Sequence, residues 1–312
     1  MKKCLLPILI IVMSLLFTIT LSAASNARIK LPDGLYMYDS WISHAMGASV
    51  RFEKFFVVKN NDIYFSEQAI KKFGLSKLNE SFTKNKKYKI LLCGEKVGKI
   101  DKLKVDNEDA HKAYIEDLFS ENIKEVPIYK EESYPHDFGS AASYIAVPEK
   151  YKEGHTKVST TISKDEIDRI TKLAQTKLLS LVKKRKETRE YKITGRELDE
   201  ERLNLLDKIS DSKGYVYIGV YRFRLELGTC CPWAPGIAFS VRNDDIHIIA
   251  TDVSTNDMKI CGMLDVDGDG EEELIIKQEY HSEDESTLTL DIYKQKADGG
   301  WIRIYKLKSG MF

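Results

Sequence analysis

Apolar positions in the last third of the chain alternate in short runs bounded by turn residues, the rhythm of half-buried strands. The runs are Tyr215–Leu227, Ile237–Val241, Ile246–Ala250, Met258–Leu264, Glu273–Gln278, Leu288–Tyr293 and Trp301–Tyr305. Gly299-Gly300 and the acidic stretch Ser282–Ser286 supply turns between them. Residues 28–105 show a similar rhythm. Leu35-Tyr36-Met37-Tyr38 opens it, and the apolar run through Phe55-Phe56-Val57-Val58 meets Ile63-Tyr64-Phe65 across Lys59-Asn60-Asn61-Asp62. Asn and Asp tolerate left-handed backbone angles, so that junction predicts a hairpin. Tyr88–Leu92 and Val97–Ile100 predict a second hairpin, with Gly94 in its turn. Between the first hairpin and the second, Ser66 is placed to cap a short helix stopped at Gly74.

A different period governs the middle. Ser163-Lys164-Asp165-Glu166 is a capping box, flanked by Ile162 and Ile167 as a hydrophobic staple. Ile167, Ile170, Leu173, Ala174, Leu178, Leu181 and Val182 then mark one helical face, and Lys183-Lys184-Arg185-Lys186 places cations at its C-terminal end. Thr194-Gly195-Arg196-Glu197 repeats the capping pattern and predicts a second helix through Leu205, Leu206 and Ile209. Another helix is expected over Asp109–Phe119, with Tyr114, Ile115, Leu118 and Phe119 on one face. The stretch from Glu125 to Thr156 reads as a long connection.

The expected class is α+β: an N-terminal strand-rich α+β region, two central capped helices, and a C-terminal antiparallel β-sheet. The corresponding divisions are 1–24, 25–158, 159–212 and 213–312. Residues 1–24 carry a basic start, an apolar run from Leu5 to Leu21 and small residues after it. That order is a secretory signal peptide with cleavage after Ala23, Ala24 or Ala27; an uncleaved membrane anchor is the alternative. The expected location is therefore exported, periplasmic or extracellular.

Charge adds an exclusion. The 312 residues hold 48 cationic and 48 anionic side chains, so no basic excess argues for a nucleic-acid partner. Four cysteines follow the signal segment: Cys93, Cys230, Cys231 and Cys261. In an exported chain they permit disulfides, and a bridge from Cys230 or Cys231 to Cys261 is the expected one; four reduced thiols acting as small hydrophobes are the alternative. Gly228–Gly236, with Cys230-Cys231-Pro232-Trp233, reads as a stiff structural turn or a binding loop.

Asp265-Val266-Asp267-Gly268-Asp269-Gly270-Glu271-Glu272-Glu273 packs six carboxylates into nine residues. Like charges this close repel, and a hard divalent cation with oxygen ligands holds them together. Asp265, Asp267 and Asp269 stand at positions 1, 3 and 5, and Gly270 permits a sharp turn. Position 12 holds Ile276 where an EF-hand requires Glu, and no helix signal flanks the loop. The spacing and the strand after it resemble the FG-GAP calcium loops of integrin-type and bacterial exported proteins, over residues 262–305. The resemblance implies Ca2+ held by Asp265, Asp267, Asp269 and Glu273 through side chains and by Glu271 through its carbonyl. Glu273 stands where Asp is usual in that family. The loop occurs once, so a propeller built of such repeats is excluded.

No His-Glu-x-x-His, Gly-x-Ser-x-Gly or phosphate-binding glycine loop occurs, and the six histidines are scattered. No catalytic or organic-cofactor residue is assigned. The expectation is an exported non-enzymatic protein with a calcium-stabilised C-terminal β domain and a binding or structural role in the cell envelope. Its partner would be a protein or small molecule, with membrane contact only through an uncleaved signal sequence. The alternative is an exported hydrolase whose site is assembled from dispersed residues.

Overall fold

Three antiparallel sheets dominate the computed structural model, which describes residues 29–43, 49–84, 86–100, 105–109, 112–115, 141–142, 144–159, 162–184, 198–211, 214–225, 235–252, 257–281 and 286–308. Residues 1–24, where a signal peptide is expected, Thr194–Glu197 and Cys230-Cys231-Pro232-Trp233 lie outside those residues.

The first sheet contains β1 (Gly34–Ser43), β2 (Ser49–Lys59), β3 (Asp62–Phe65), β4 (Tyr88–Leu92), β5 (Glu95–Ile100), β8 (Ala141–Ala142) and β9 (Tyr144–Pro148). Its order is β3-β2-β1-β9-β4-β5, with β8 also beside β1. Turn chemistry fixes two of its registers. Asn60 and Asn61 adopt φ of 53° and 65°, and Cys93 and Gly94 adopt 45° and 91°, the left-handed pairs of tight two-residue hairpins. The short helices α1 (Ser66–Phe73) and α2 (Leu75–Leu78) and a π-turn (Asn79–Thr83) follow β3. Ser66 is the first helical residue of α1 rather than its cap; Gln68 Oε1 instead accepts the Phe65 N–H at 3.3 Å.

β9 was expected to be connection, yet it lies between β1 and β4 with every residue buried. A strand buried on both faces shows no alternation, so Tyr144-Ile145-Ala146-Val147 carries no period to read. The helix expected over Asp109–Phe119 is also corrected. β6 (Val105–Asp109) and β7 (Lys112–Ile115) pair as a hairpin there, and residues 116–119 lie outside the described residues.

The second sheet runs β10-β11-β12-β13-β14, from β10 (Lys157–Ser159), β11 (Leu198–Asp211), β12 (Gly214–Leu225), β13 (Gly236–Arg242) and β14 (Asp245–Asp252). β11 replaces the second capped helix expected here. Its leucines fit a helical spacing, but β12 is rich in Tyr, Val, Ile and Phe and pairs with β11 from Leu198↔Leu225 to Asp211↔Gly214. A strong neighbouring strand overrides a weak helical preference.

The helix α3 (Lys164–Val182) covers one face of this sheet. Ile170, Ala174, Leu178 and Val182 pack with Tyr217, Tyr221, Ile237, Phe239 and Val241. Its capping box is present: Ser163 Oγ accepts the Glu166 N–H at 3.3 Å, and Glu166 Oε2 accepts the Ser163 N–H at 2.9 Å. Glu166 Oε1 also accepts from the Tyr217 hydroxyl and from Lys208 Nζ, the latter at 2.9 Å. The Tyr217 hydrogen bond, followed by those from Lys208 and Ser163, holds the Glu166 carboxyl well below its ordinary value of 4.5. A depressed carboxyl contributes stability above its unfolded value, and that stability is lost as pH falls through the folded one. Glu166→Gln is expected to cost about 1–2 kcal/mol at pH 7. In urea titrations the gap between the two proteins should narrow as pH falls below 4.5.

The third sheet is a meander of β15 (Asp257–Leu264), β16 (Glu273–His281), β17 (Ser286–Gln295) and β18 (Trp301–Lys308). It joins the other two through the core: Leu35 and Met37, Val216 and Ile218, and Leu274 and Ile276 belong to one buried cluster. That cluster crosses the divisions drawn at 158 and 212. Trp301 Nε1 donates to Ser240 Oγ at 2.9 Å, and Arg222 donates to the Met258 carbonyl at 3.1 Å. Cys93 and Cys261 are buried in the core and no disulfide forms among the described residues, while Cys230 and Cys231, the partners expected for Cys261, lie outside them.

Candidate metal centre

The acidic stretch is the connection between β15 and β16, closed at its base by the Leu264↔Glu273 pair. Asp265 folds it. Its Oδ1 accepts the N–H groups of Gly268 and Asp269 at 2.6 and 3.1 Å, and its Oδ2 accepts that of Gly270 at 3.0 Å. Bringing three successive amides round one carboxylate needs left-handed turns, which Gly268 and Gly270 supply at φ of 70° and 93°. Asp269 Oδ1 accepts the Glu271 N–H at 2.9 Å.

This winding turns the three aspartates inward, with one carboxylate oxygen from each of Asp265, Asp267 and Asp269 within 4.8 Å of the others. Two unit charges at that separation repel by about 3 kcal/mol at an effective dielectric near 20. Asp267 Oδ1 is buried and has no hydrogen-bond partner. A buried carboxylate oxygen left this way is costly, and a cation removes both penalties.

Glu273, at the first position of β16, has no exposed surface. Its Oε2 accepts the Val266 N–H at 2.7 Å, while Oε1 is buried without a hydrogen bond of good geometry. Burial pushes its carboxyl up to about 7, with Asp267 adding to the rise and the Val266 amide and Lys294 opposing it. Lys294, near the end of β17, reaches across the sheet into this space. Its Nζ stands 2.5 Å from Asp267 Oδ2, 2.5 Å from Asp269 Oδ2 and 3.2 Å from Glu273 Oε1. Burial disfavours the charge on Asp269, but the Lys294 ammonium and the Glu271 amide outweigh it and lower its pKa.

The outer side of the loop is fastened to the first sheet and its flanks. Glu272 is buried with Thr156, accepting from its N–H at 3.2 Å and from its hydroxyl. Its carboxylate lies against the backbone of Gly154, where a Cβ would come within 2.1 Å of Oε1. Burial raises the Glu272 pKa, and the Thr156 hydrogen bonds act against that rise. The Tyr151 hydroxyl accepts the Asp265 N–H at 2.8 Å, and the Lys30 N–H donates to the Val266 carbonyl at 2.8 Å.

Of the five residues expected to bind metal, Asp265, Asp267 and Asp269 come together. Glu273 joins them through Lys294 rather than as a member of the three-aspartate cluster. The Glu271 side chain is exposed, and its N–H faces Asp269. Strands flank the loop on both sides, unlike an EF-hand. Lys294, Tyr151 and Thr156 were not foreseen. Lys294 has a signal in the sequence once β16 and β17 are aligned: Leu274 pairs with Tyr293, so Lys294 falls one step further, opposite Glu273. Tyr151 and Thr156 have none, because they reach the loop only through tertiary packing.

No protein-family model, curated protein or solved structure matches this chain.

Proposed function

We propose that the loop is an FG-GAP-like calcium site and that the chain is an exported, non-enzymatic protein with a binding or structural role in the cell envelope. The buried, partnerless Asp267 Oδ1, within a cluster of three converging aspartates, carries this reading. Asp265, Asp267, Asp269 and Glu273 would hold the ion by side chains and Glu271 by its carbonyl. All are hard oxygen donors, and a set mixing carboxylates with a carbonyl suits calcium better than magnesium, which keeps more of its waters. The ion supplies charge neutralisation, drawing the end of β15 and the start of β16 onto one centre. Export follows from the basic start, apolar run and small residues of segment 1–24. Outside the cell, a structural site functions with a dissociation constant of about 10⁻⁴–10⁻³ M.

Binding only the folded state at about one hundred times its dissociation constant stabilises by about 2.7 kcal/mol. Calcium at about 10–100 mM, one hundred times that constant, is therefore expected to raise the melting temperature of the purified protein by several degrees, and chelator to reverse it. The Asp265→Asn/Asp267→Asn double variant should show no such rise. An identical response of both proteins to calcium and chelator would defeat the proposal.

A further inference from the structure

The ammonium of Lys294 stands where a divalent ion would need to stand. Calcium–oxygen distances are about 2.3–2.6 Å, and Nζ lies 2.5 Å from oxygens of both Asp267 and Asp269. Two cations do not share that space, since their repulsion would add to the steric conflict. Yet the lysine fills the role incompletely. Glu273, with no exposed surface, keeps Oε1 without a hydrogen bond although it stands 3.2 Å from Nζ, and Asp267 Oδ1 has no hydrogen-bond partner at all. A larger charge with more coordination positions satisfies these oxygens; one ammonium, with three donors, does not. Lys294 is free to leave, because its side chain is 28% exposed and a lysine stem can swing its head into water.

We infer that Lys294 is the loop's resident counter-cation, that it and a divalent metal occupy the loop alternately, and that it thereby sets how tightly the loop takes the metal. The inference rests on the calcium reading above. In the metal-free protein the lysine holds Asp267, Asp269 and Glu273 together and keeps the β15–β16 connection folded. When calcium enters, the side chain is expelled to solvent. The loop then has two closed states, and the metal must displace a bound competitor rather than fill a vacancy.

Isothermal titration with calcium chloride alone, on the full protein and on Lys294→Met, reads the competition. Methionine keeps an unbranched, flexible side chain and removes the charge. The variant is expected to bind calcium about tenfold more tightly, within the usual range of coupling between sites, and to melt at a lower temperature in chelator. In the unmutated protein, brief labelling with an amine-acylating reagent and mass spectrometry should show Lys294 protected in chelator and several-fold more reactive with saturating calcium. That second measurement stands even if Lys294→Met does not fold without metal. If the unmutated protein binds calcium, the variant binds it no more tightly and Lys294 reactivity is unchanged, the inference is overturned and the calcium site stands. If neither protein binds calcium, both are overturned.

Discussion

Replacing Asp265 with alanine is expected to unwind the acidic loop and abolish its response to calcium. This one carboxylate accepts from the amides of Gly268, Asp269 and Gly270, and those bonds hold the left-handed turns at the two glycines. Hydrogen bonds to an ionised acceptor are worth about 1.5–3 kcal/mol each, but amides in a partly exposed loop recover water when released. A net loss of about 2–4 kcal/mol is expected in urea titrations at pH 7 in chelator. The effect should be present without metal, because Asp265 shapes the loop before it serves as a ligand. A variant as stable as the parent in chelator would mean that the amides are held by something other than this side chain.

Glu272→Ala is expected to have an effect of similar size on stability and a small one on metal. Glu272 and Thr156 are both 7% exposed, and each supplies the other's hydrogen bonds. Alanine strands the Thr156 N–H and hydroxyl in the interior, at about 1–3 kcal/mol for each unsatisfied group. Hydrogen exchange should quicken first over residues 150–158, the stretch Glu272 holds against the loop. Calcium affinity should change little, because this carboxylate is held by Thr156 and is not a member of the aspartate cluster. Glu272→Gln keeps acceptor capacity and should recover part of the loss. Unchanged exchange over 150–158 would show that Tyr151 and the Lys30 amide anchor the loop unaided.

The two variants divide the loop by side. Asp265, Asp267, Asp269 and Glu273 face its interior; Glu272 and the Asp265 and Val266 backbone face Thr156, Tyr151 and Lys30. A cation bound inside would therefore stiffen a junction between the first and third sheets as well as a hairpin. That links metal occupancy to the packing of β15 beside β1, β4 and β9.

Much of the C-terminal strand set was legible because its turns are local. Asn243-Asp244 and Gly299-Gly300 need only their own backbone preferences to reverse the chain. The aspartate cluster was legible for a like reason, since alternate carboxylates and two glycines fix a winding within a few residues. β11 was not. Its leucines suit a helix, and only pairing with β12 decides the matter. β9 was hidden by uniform burial, and by partners that lie at 34–43 and 88–92. Lys294 fell between these cases, because its place opposite Glu273 needs a register as well as a sequence. Charge counting inside Asp265–Glu273 missed it, and it alters the chemistry of the loop by supplying a cation from within the chain.

Calorimetric titration of the purified protein with calcium at pH 7.5, beside Asp265→Asn/Asp267→Asn, tests the calcium site most directly. One ion bound per chain, with a dissociation constant of about 10⁻⁴–10⁻³ M and no binding to the double variant, is the result the loop geometry predicts. Equal binding by both proteins, or none by the unmutated one, would contradict it.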